Sequence, residues 1–133
     1  MIDETLYSWM LLAGRLCLAL VFLVSGVHKS LWFSKAVQEF KDAKVPLLHV
    51  FLIGTIILHL VAPVCIILGV FVTESALALV LFTVVATCKV HHFWFMSGFD
   101  RLLHSRIALT NLAVVGGLLI LAAVGPGNLV IGI

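Results

Sequence analysis

Charged residues are scarce in this chain, and acidic residues are the scarcest of them. Asp, Glu, Lys and Arg make up 11% of the 133 residues, whereas 63% are hydrophobic. Soluble domains are usually about 45–50% apolar, so this composition excludes an ordinary soluble domain and predicts an integral membrane protein. The formal charge of +2 is small and scattered, which excludes the concentrated basic surface of a nucleic-acid-binding protein.

Cysteine and recognisable catalytic motifs are also sparse. The three cysteines include no C-x-x-C pair and all lie in apolar runs, which argues against a disulfide framework and against dithiol redox chemistry. The histidines form no H-x3-H or H-E-x-x-H pattern, so no metal or haem site is predicted. Ser25 lacks the G-x-S-x-G context of a serine hydrolase. Catalytic residues therefore stay unknown.

Four long apolar runs dominate the chain instead. They cover residues 6–27, 47–72, 75–95 and 107–124. Each approaches or exceeds the roughly 20 residues that cross a bilayer as a helix, and none alternates as a barrel strand would. The first run follows no cleavable leader pattern and is expected to be a retained anchor. The sequence therefore predicts an all-α membrane protein, with one four-transmembrane-helix bundle over residues 1–133.

The connections between these runs carry further predictions. Apolar residues from Trp32 to Phe40 recur at helical spacing, which predicts a short interfacial amphipathic helix between the first two membrane helices. Thr73-Glu74-Ser75 is expected to form a tight turn between the second and third. In the fourth, Ala113 and Gly117 predict close approach of another backbone. Lys and Arg gather in the two long loops, so the positive-inside rule predicts cytoplasmic loops and both termini outside.

Arg15 lies near the middle of the first apolar run. A guanidinium keeps its proton, so at this depth it must find partners inside the bundle or reach an interface. The helical repeat places Ser8, Phe22, Gly26 and Lys29 on the same face as Arg15. No Asp or Glu lies within any of the four runs. A membrane-embedded carboxylate is thereby excluded as the partner of Arg15, and Glu74 would be reached only if the Arg15 side chain extended outward.

His59 is predicted to lie at the depth of Arg15. At about 1.5 Å per residue, Arg15 is about 21 Å from Lys29 at the loop end, and His59 is about 20 Å from Pro46 at the same end. Pro63 cannot donate a hydrogen bond to the carbonyl of His59, so this oxygen is expected to accept from Arg15 instead.

Two interpretations of this pair stay open at the level of sequence. In one, Arg15 pins the first two membrane helices together through the His59 carbonyl, threonine hydroxyls and water. In the other, its remaining donors bind an oxygen of a quinone, a lipid headgroup or a small anion. His59, with Thr55 on the same helix face, would then exchange a hydrogen bond or a proton with the ligand.

A second polar group is predicted near the cytoplasmic end. Thr83, Thr87 and His91 recur every four residues and form a polar line in the third membrane helix. Lys29 and several other basic residues are expected at the same end. The line is either a path for protons or ligand, or the basic residues only anchor the helix ends among anionic headgroups.

Several short motifs, taken in order, resemble those of the DoxX family. They are Arg15, Ser25-Gly26-Val27-His28-Lys29, Val45-Pro46, Leu68-Gly69, His91-His92-Phe93-Trp94, Asn111-Leu112, Gly116-Gly117 and Gly125-Pro126-Gly127. The resemblance covers nearly the whole chain and implies a small four-helix protein of the bacterial cytoplasmic membrane. It also implies relatives that include the small membrane subunit of an archaeal thiosulfate:quinone oxidoreductase. Where many relatives carry a glutamate, this chain has His59.

These features together predict a small subunit or auxiliary factor of a membrane redox assembly, which binds a quinone or lipid-like ligand near Arg15 and His59. The candidate ligand-binding residues are Arg15, His59, Lys29, Thr55, Thr83, Thr87, His91 and Asn111. A quinone is the one cofactor considered, and any enzymatic role would be that of an accessory subunit. Expected partners are the lipid bilayer, redox-complex subunits and further copies of the chain. The alternative is a structural scaffold that recruits partners without ligand chemistry.

Overall fold

A computed structural model describes residues 2–131, and this part of the chain is helical without β-strands. The helices are α1 (Glu4–Leu31), α2 (Phe33–Asp42), α3 (Leu48–Leu68), α4 (Val72–Val90) and α5 (Gly98–Val124), with a 3-10 turn at Phe93–Phe95. Helices α1, α3, α5 and the segment formed by α4 and the 3-10 turn are long and apolar enough to cross a membrane. The predicted all-α, four-helix membrane bundle is confirmed.

The turn between α3 and α4 differs from the predicted one. Gly69 ends α3 in the left-handed region, with φ of 83°, a conformation that glycine adopts at helix ends without a Cβ penalty. The chain turns through Val70 and Phe71, and Val72 begins α4. The prediction that Thr73-Glu74-Ser75 forms the connection is therefore wrong, because those residues already belong to the first turn of α4.

Helix α2 confirms the predicted amphipathic segment between the first two long helices. Ala36 is buried, and Val37 and Phe40 are half-buried, while Lys35 and Lys41 are exposed. The apolar face of α2 packs against both α1 and α3. Helix α2 therefore covers one end of the α1–α3 pair.

The long helices pack in the order α1, α3, α4 and α5, and α1 meets α5 only narrowly. Helices α1 and α5 are in contact at Gly117, where an added Cβ would lie 3.2 Å from Leu18 Cδ2. A side chain rather than a backbone fills this space, and Ala113 is exposed. The predicted approach of a backbone at Ala113 and Gly117 is therefore wrong.

The two ends of the bundle differ in packing. We call the end with the start of α1, the α3–α4 turn and residues 125–131 the terminal half, and the end with α2 and the 3-10 turn the loop half. The apolar core lies mainly in the terminal half and consists of Ala19, Phe22, Ala62, Ile66, Val72, Ala76, Leu79, Leu118 and Leu121. The loop half contains a large cavity.

Candidate functional site

Arg15 is buried in the terminal half, with 1% of its surface exposed. Its Nη1 donates to the carbonyl of Pro126 at 2.7 Å and to that of Leu129 at 2.8 Å, and its Nη2 donates to the carbonyl of Ile67 at 2.8 Å. Ile67 lies in the last turn of α3, whose carbonyls have no partner within their own helix. The guanidinium thus joins α1, the end of α3 and the C-terminal tail. Its Nε has no partner within residues 2–131.

The C-terminal tail reinforces this contact. The amide of Ile131 donates to the carbonyl of Leu68 at 2.9 Å, so a second carbonyl of the last turn of α3 is satisfied. A Cβ on Gly69 would lie 2.7 Å from Val130 Cβ, which shows that the tail packs directly against the α3–α4 turn. Arg15 and the tail therefore form one closed structure at the terminal end, which we call the arginine clamp.

The prediction that Arg15 bonds the His59 carbonyl is wrong. Its partner on α3 is Ile67, eight residues beyond His59 and therefore about 12 Å further along the helix. The predicted depths assume that Lys29 and Pro46 lie level with each other, but α3 extends further toward the loop half than this assumption allows. Gly26, rather than Arg15, lies opposite His59, because a Cβ on Gly26 would be 3.0 Å from His59 Cβ.

His59 is buried at 3% exposure in the loop half, next to α1. Its Nδ1 lies 3.2 Å from the hydroxyl of Ser25, and the ammonium of Lys29 donates to the same hydroxyl at 2.5 Å. The rings of Phe22 and Phe82 each pack in a T-shaped arrangement with the imidazole, with ring centroids 5.3 and 4.5 Å away. We call Lys29, Ser25 and His59 the histidine chain. It connects a cation to the buried imidazole through one hydroxyl.

A cavity of about 810 Å³ adjoins the histidine chain, within the range of roughly 300–1,000 Å³ that small-molecule sites occupy. Six of the predicted ligand-binding residues line it: Lys29, Thr55, His59, Thr83, His91 and Asn111. Phe51, Leu81 and Val85 also line it and are more than half exposed. The cavity therefore reaches the outer surface of the bundle between α3 and α4.

Two buried polar atoms at this cavity have no hydrogen-bond partner within the described part of the chain, His59 Nε2 and Thr83 Oγ1. Thr55, by contrast, donates to the carbonyl of Phe51 at 2.7 Å. A buried polar atom without a partner costs free energy, about 1–3 kcal/mol, so native proteins rarely keep one without a reason. Both side chains line the cavity, so these two atoms are its candidate positions for a hydrogen bond.

Thr87 and Asn111 act together in a different way. Asn111 Nδ2 donates to Thr87 Oγ1 at 2.9 Å, and Thr87 donates to the carbonyl of Thr83 at 2.7 Å. Thr87 does not line the cavity, whereas Asn111 does. The hydrogen bond between Asn111 and Thr87 connects α5 to α4. The Thr87 hydroxyl, which was predicted to bind a ligand, is therefore already hydrogen-bonded within the protein.

His91 lies at the loop end of the cavity and pairs with His104. Their Nδ1 atoms are 2.8 Å apart, so one ring must donate and the other accept. Lys89 and Glu39 line the same end, which therefore carries charges of both signs. No group of three His, Cys, Asp or Glu side chains that could hold a metal ion occurs among residues 2–131.

Sequence reasoning missed the contributions of Ser25 and Phe82. Ser25 was considered only as a nucleophile, yet its spacing of four residues from Lys29 places the two on one face of α1. Its neighbour Gly26 was the available signal, because a glycine inside a membrane helix permits close approach of a second helix. Nothing in the sequence of α4 distinguishes Phe82 from the other apolar residues of that helix.

Comparison with known proteins adds a family and a relative. The DoxX family model matches residues 10–92, which is more than half of the chain, so this protein belongs to the DoxX family. The inner membrane protein YphA of Escherichia coli is 29% identical over 119 residues, which are 89% of this chain and 84% of that protein. No solved structure matches the chain. The family match includes both Arg15 and the histidine chain.

Proposed function

We propose that this DoxX-family protein is a small inner-membrane protein that binds a quinone or a lipid-like molecule in the cavity of the loop half. The ligand's polar end contacts His59 and Thr83, and its apolar part follows the lining toward Phe51 and Leu81. In this role the protein acts as an auxiliary subunit of a membrane redox assembly. The inner-membrane location is supported by the relationship to YphA, whose name gives that location.

One observation carries the proposal. His59 Nε2 and Thr83 Oγ1 are buried at the same cavity, and no group within residues 2–131 satisfies them. A ligand that offers a polar group to each would remove the cost of burying them. A wholly apolar guest would leave that cost in place. The site therefore favours an amphipathic molecule over a plain hydrocarbon.

The shape of the cavity supports entry from the bilayer. Its exposed lining residues Phe51, Leu81 and Val85 belong to helices long enough to span the membrane. A molecule that dissolves in lipid, such as a quinone with an isoprenoid tail, could enter between α3 and α4 without crossing an aqueous phase. Lys29 and Lys89 at the loop end suit a headgroup with an oxygen or a negative charge.

Arg15 has a different role in this proposal. Its guanidinium binds three backbone carbonyls and does not line the cavity. We therefore assign Arg15 to the stability of the terminal half rather than to the ligand. Thr87 is assigned to the contact with Asn111 for the same reason.

The second candidate is a scaffold that recruits partners and binds no ligand. The arginine clamp favours it, because this buried charge makes three hydrogen bonds to backbone carbonyls of the protein itself. A scaffold would stabilise the bundle with its polar groups and use its loops for recruitment. It gives no reason for His59 Nε2 and Thr83 Oγ1 at a large cavity, so ligand binding remains the leading proposal.

The decisive experiment compares two histidine substitutions on α3. His59→Phe keeps an aromatic ring between Phe22 and Phe82 but removes the polar atom, while His49→Phe changes an exposed histidine of the same helix. The wild-type protein in lipid nanodiscs is titrated with a decyl-substituted benzoquinone, and bound molecules are counted by native mass spectrometry. We expect His59→Phe to weaken binding about tenfold, the effect of roughly 1.4 kcal/mol, and His49→Phe to leave it unchanged.

Two results would contradict the proposal. Equal binding by His59→Phe and the wild type would remove His59 from the site. A wild-type protein that binds neither the quinone nor any copurified lipid, while remaining folded, would favour the scaffold.

A further inference from the structure

The donors and acceptors of the histidine chain follow a single direction. The Lys29 ammonium carries donors and no acceptor, so its contact of 2.5 Å with Ser25 Oγ uses a lone pair of the hydroxyl. The hydroxyl has a single hydrogen, and the next partner in the chain is His59 Nδ1 at 3.2 Å. The hydroxyl could accept a second hydrogen bond, but among residues 2–131 its own hydrogen has His59 Nδ1 as its acceptor within reach. The arrangement that uses every donor therefore has Ser25 donate to His59 Nδ1.

The accepting role of Nδ1 determines the protonation of the other ring nitrogen, Nε2. A neutral imidazole has one N–H, so an acceptor at Nδ1 places the hydrogen on Nε2. A cationic imidazole would add a second positive charge beside Lys29, between the rings of Phe22 and Phe82. Burying such a charge among apolar groups without an acidic partner is unfavourable. The histidine chain therefore holds His59 in the neutral tautomer that carries its hydrogen on Nε2.

We infer that His59 presents an N–H donor to the cavity and that the ligand places a carbonyl oxygen against it. This inference rests on the proposed function, since it specifies the chemistry of a ligand in the same cavity. Nε2 is buried and lacks a hydrogen-bond partner within residues 2–131, and the His59 side chain lines the cavity, so no described group of the protein uses its hydrogen. Ser25 and Lys29 also line the cavity, but in this inference they act as positioning residues, because they set the tautomer of His59 and do not supply the N–H that meets the carbonyl.

Thr83 is compatible with the same ligand. Its own carbonyl already accepts from Thr87 at 2.7 Å, while its hydroxyl lies buried at the cavity. A hydroxyl can donate as well as accept. A ligand rich in acceptor oxygens can therefore satisfy both Thr83 and His59. A quinone and a diacyl lipid share this chemistry, because each carries carbonyl oxygens on an apolar body.

The tautomer is tested first, by nitrogen NMR of the full chain in nanodiscs. Protein labelled with 15N-histidine is compared with His59→Gln, so that the His59 signals are identified by their loss. We expect a protonated Nε2 and an unprotonated Nδ1. In Ser25→Ala, which removes the donor to Nδ1, we expect the two tautomers to mix. Ser30→Ala is the matched control, because Ser30 donates to the carbonyl of Gly26 on its own helix at 2.8 Å.

A protonated Nδ1 in the wild-type protein would overturn the inference, because Nε2 would then accept rather than donate. A Ser25→Ala spectrum identical to that of the wild type would also overturn it, since the serine would not control the tautomer. Neither result depends on whether a ligand binds, so each is distinct from a failure of the proposed function.

The ligand chemistry is tested with two probes of matched shape. A decyl-substituted benzoquinone carries carbonyl oxygens, and decylbenzene has the same apolar tail without them. We expect the quinone to bind at least about fivefold more tightly, as one net hydrogen bond allows, and to shift the 15N signal of His59 Nε2. We expect Ser25→Ala to reduce this preference and Ser30→Ala to retain it.

The source of the carbonyl is read from the same spectra. If a quinone occupies the site, its titration in nanodiscs gives a saturable shift of Nε2. If a lipid ester occupies it, Nε2 shifts on transfer from detergent to nanodiscs and the quinone adds nothing. Both patterns support the inference. If quinone and decylbenzene bind with equal affinity, the inferred hydrogen bond to a carbonyl is overturned, but the cavity still binds a ligand. If neither probe and no lipid binds, the proposed function is overturned as well.

Discussion

The terminal half and the loop half of the bundle each contain a basic side chain from α1, but the surroundings of the two side chains differ. In the terminal half, Arg15 is enclosed and donates to three backbone carbonyls. In the loop half, Lys29 donates to one hydroxyl, which contacts His59 at the edge of a cavity of about 810 Å³. The core side chains cluster in the first half, and the empty space lies in the second.

A buried charge in a membrane helix therefore does not by itself indicate a ligand site. Membrane-embedded basic residues are often read as functional, and Arg15 matches that description in the sequence. Three of its donors nevertheless bind carbonyls of the α3 end and the tail, so we assign Arg15 to the stability of the fold. The more informative feature is a cavity-lining side chain with a buried polar atom that has no partner, as His59 has at Nε2 among residues 2–131.

The largest effect is expected from Arg15→Leu. This change leaves the carbonyls of Ile67, Pro126 and Leu129 without their donor, and we expect a loss of about 3–5 kcal/mol in the free energy of unfolding. Denaturant titration in micelles measures the loss, and limited proteolysis reports release of the tail. Arg101→Leu, at an exposed arginine of α5, is the control. Equal midpoints for the two variants would show that the arginine clamp contributes nothing.

A smaller loss is expected from Gly69→Ala. The added Cβ would stand at φ of 83° and meet Val130, so left-handed strain and displacement of the tail together cost about 2–3 kcal/mol. Faster hydrogen exchange at the amide of Ile131, which donates to Leu68, would report the displacement. Gly54→Ala on the same helix has no atom within 4 Å of its Cβ and serves as the control. A protected Ile131 amide in Gly69→Ala would count against this packing.

Gly26→Ala is expected to disturb the loop half instead. Its Cβ would lie 3.0 Å from His59 Cβ and 3.0 Å from Leu60 Cδ2, which should separate α1 from α3 at a cost of about 1–2 kcal/mol. Because His59 would also move relative to Ser25, quinone binding should weaken in the same titration. Gly14→Ala, on the same helix with open space around its Cβ, should change neither quantity. Unchanged binding by Gly26→Ala would show that the position of His59 is unimportant.

The smallest and most selective effects are expected from two threonines of α4. Thr87→Val removes the acceptor of Asn111 and should cost about 1 kcal/mol of stability without affecting the ligand. Thr83→Val removes a buried hydroxyl that has no partner in the described chain, so stability should stay level or rise while quinone affinity falls about fivefold. Parallel unfolding and binding measurements compare them. Identical profiles would remove the distinction between a structural and a ligand-facing threonine.

Much of the architecture could be predicted because it depends on local sequence. Apolar runs near the length of a bilayer span predict the long helices, and the pattern from Trp32 to Phe40 predicts α2. The register of α1 against α3 could not be predicted, because the residues between them allow α3 to slide along α1. The observed register separates Arg15 from His59 and makes Gly26 the neighbour of His59. Orientation of the loops toward the cytoplasm stays a prediction.

The partners of Arg15 show why site prediction was harder than fold prediction. They are backbone carbonyls of Ile67, Pro126 and Leu129, and a carbonyl is the same whatever side chain its residue carries. Counting carboxylates correctly excluded an acid within the four apolar runs. It could not identify which part of the backbone would come within reach.

The amino-acid sequence alone determined that this protein is a bundle of membrane-spanning helices with basic residues and no acidic residue inside its apolar runs. Hydrophobic length and helical periodicity are properties of consecutive residues, so they can be read without coordinates. The packing of the helices and the tail adds that Arg15 closes the terminal end and that the His59 side chain lines the cavity. Those outcomes depend on how distant helices and the tail meet, and contacts between segments far apart in the chain leave little trace in either segment.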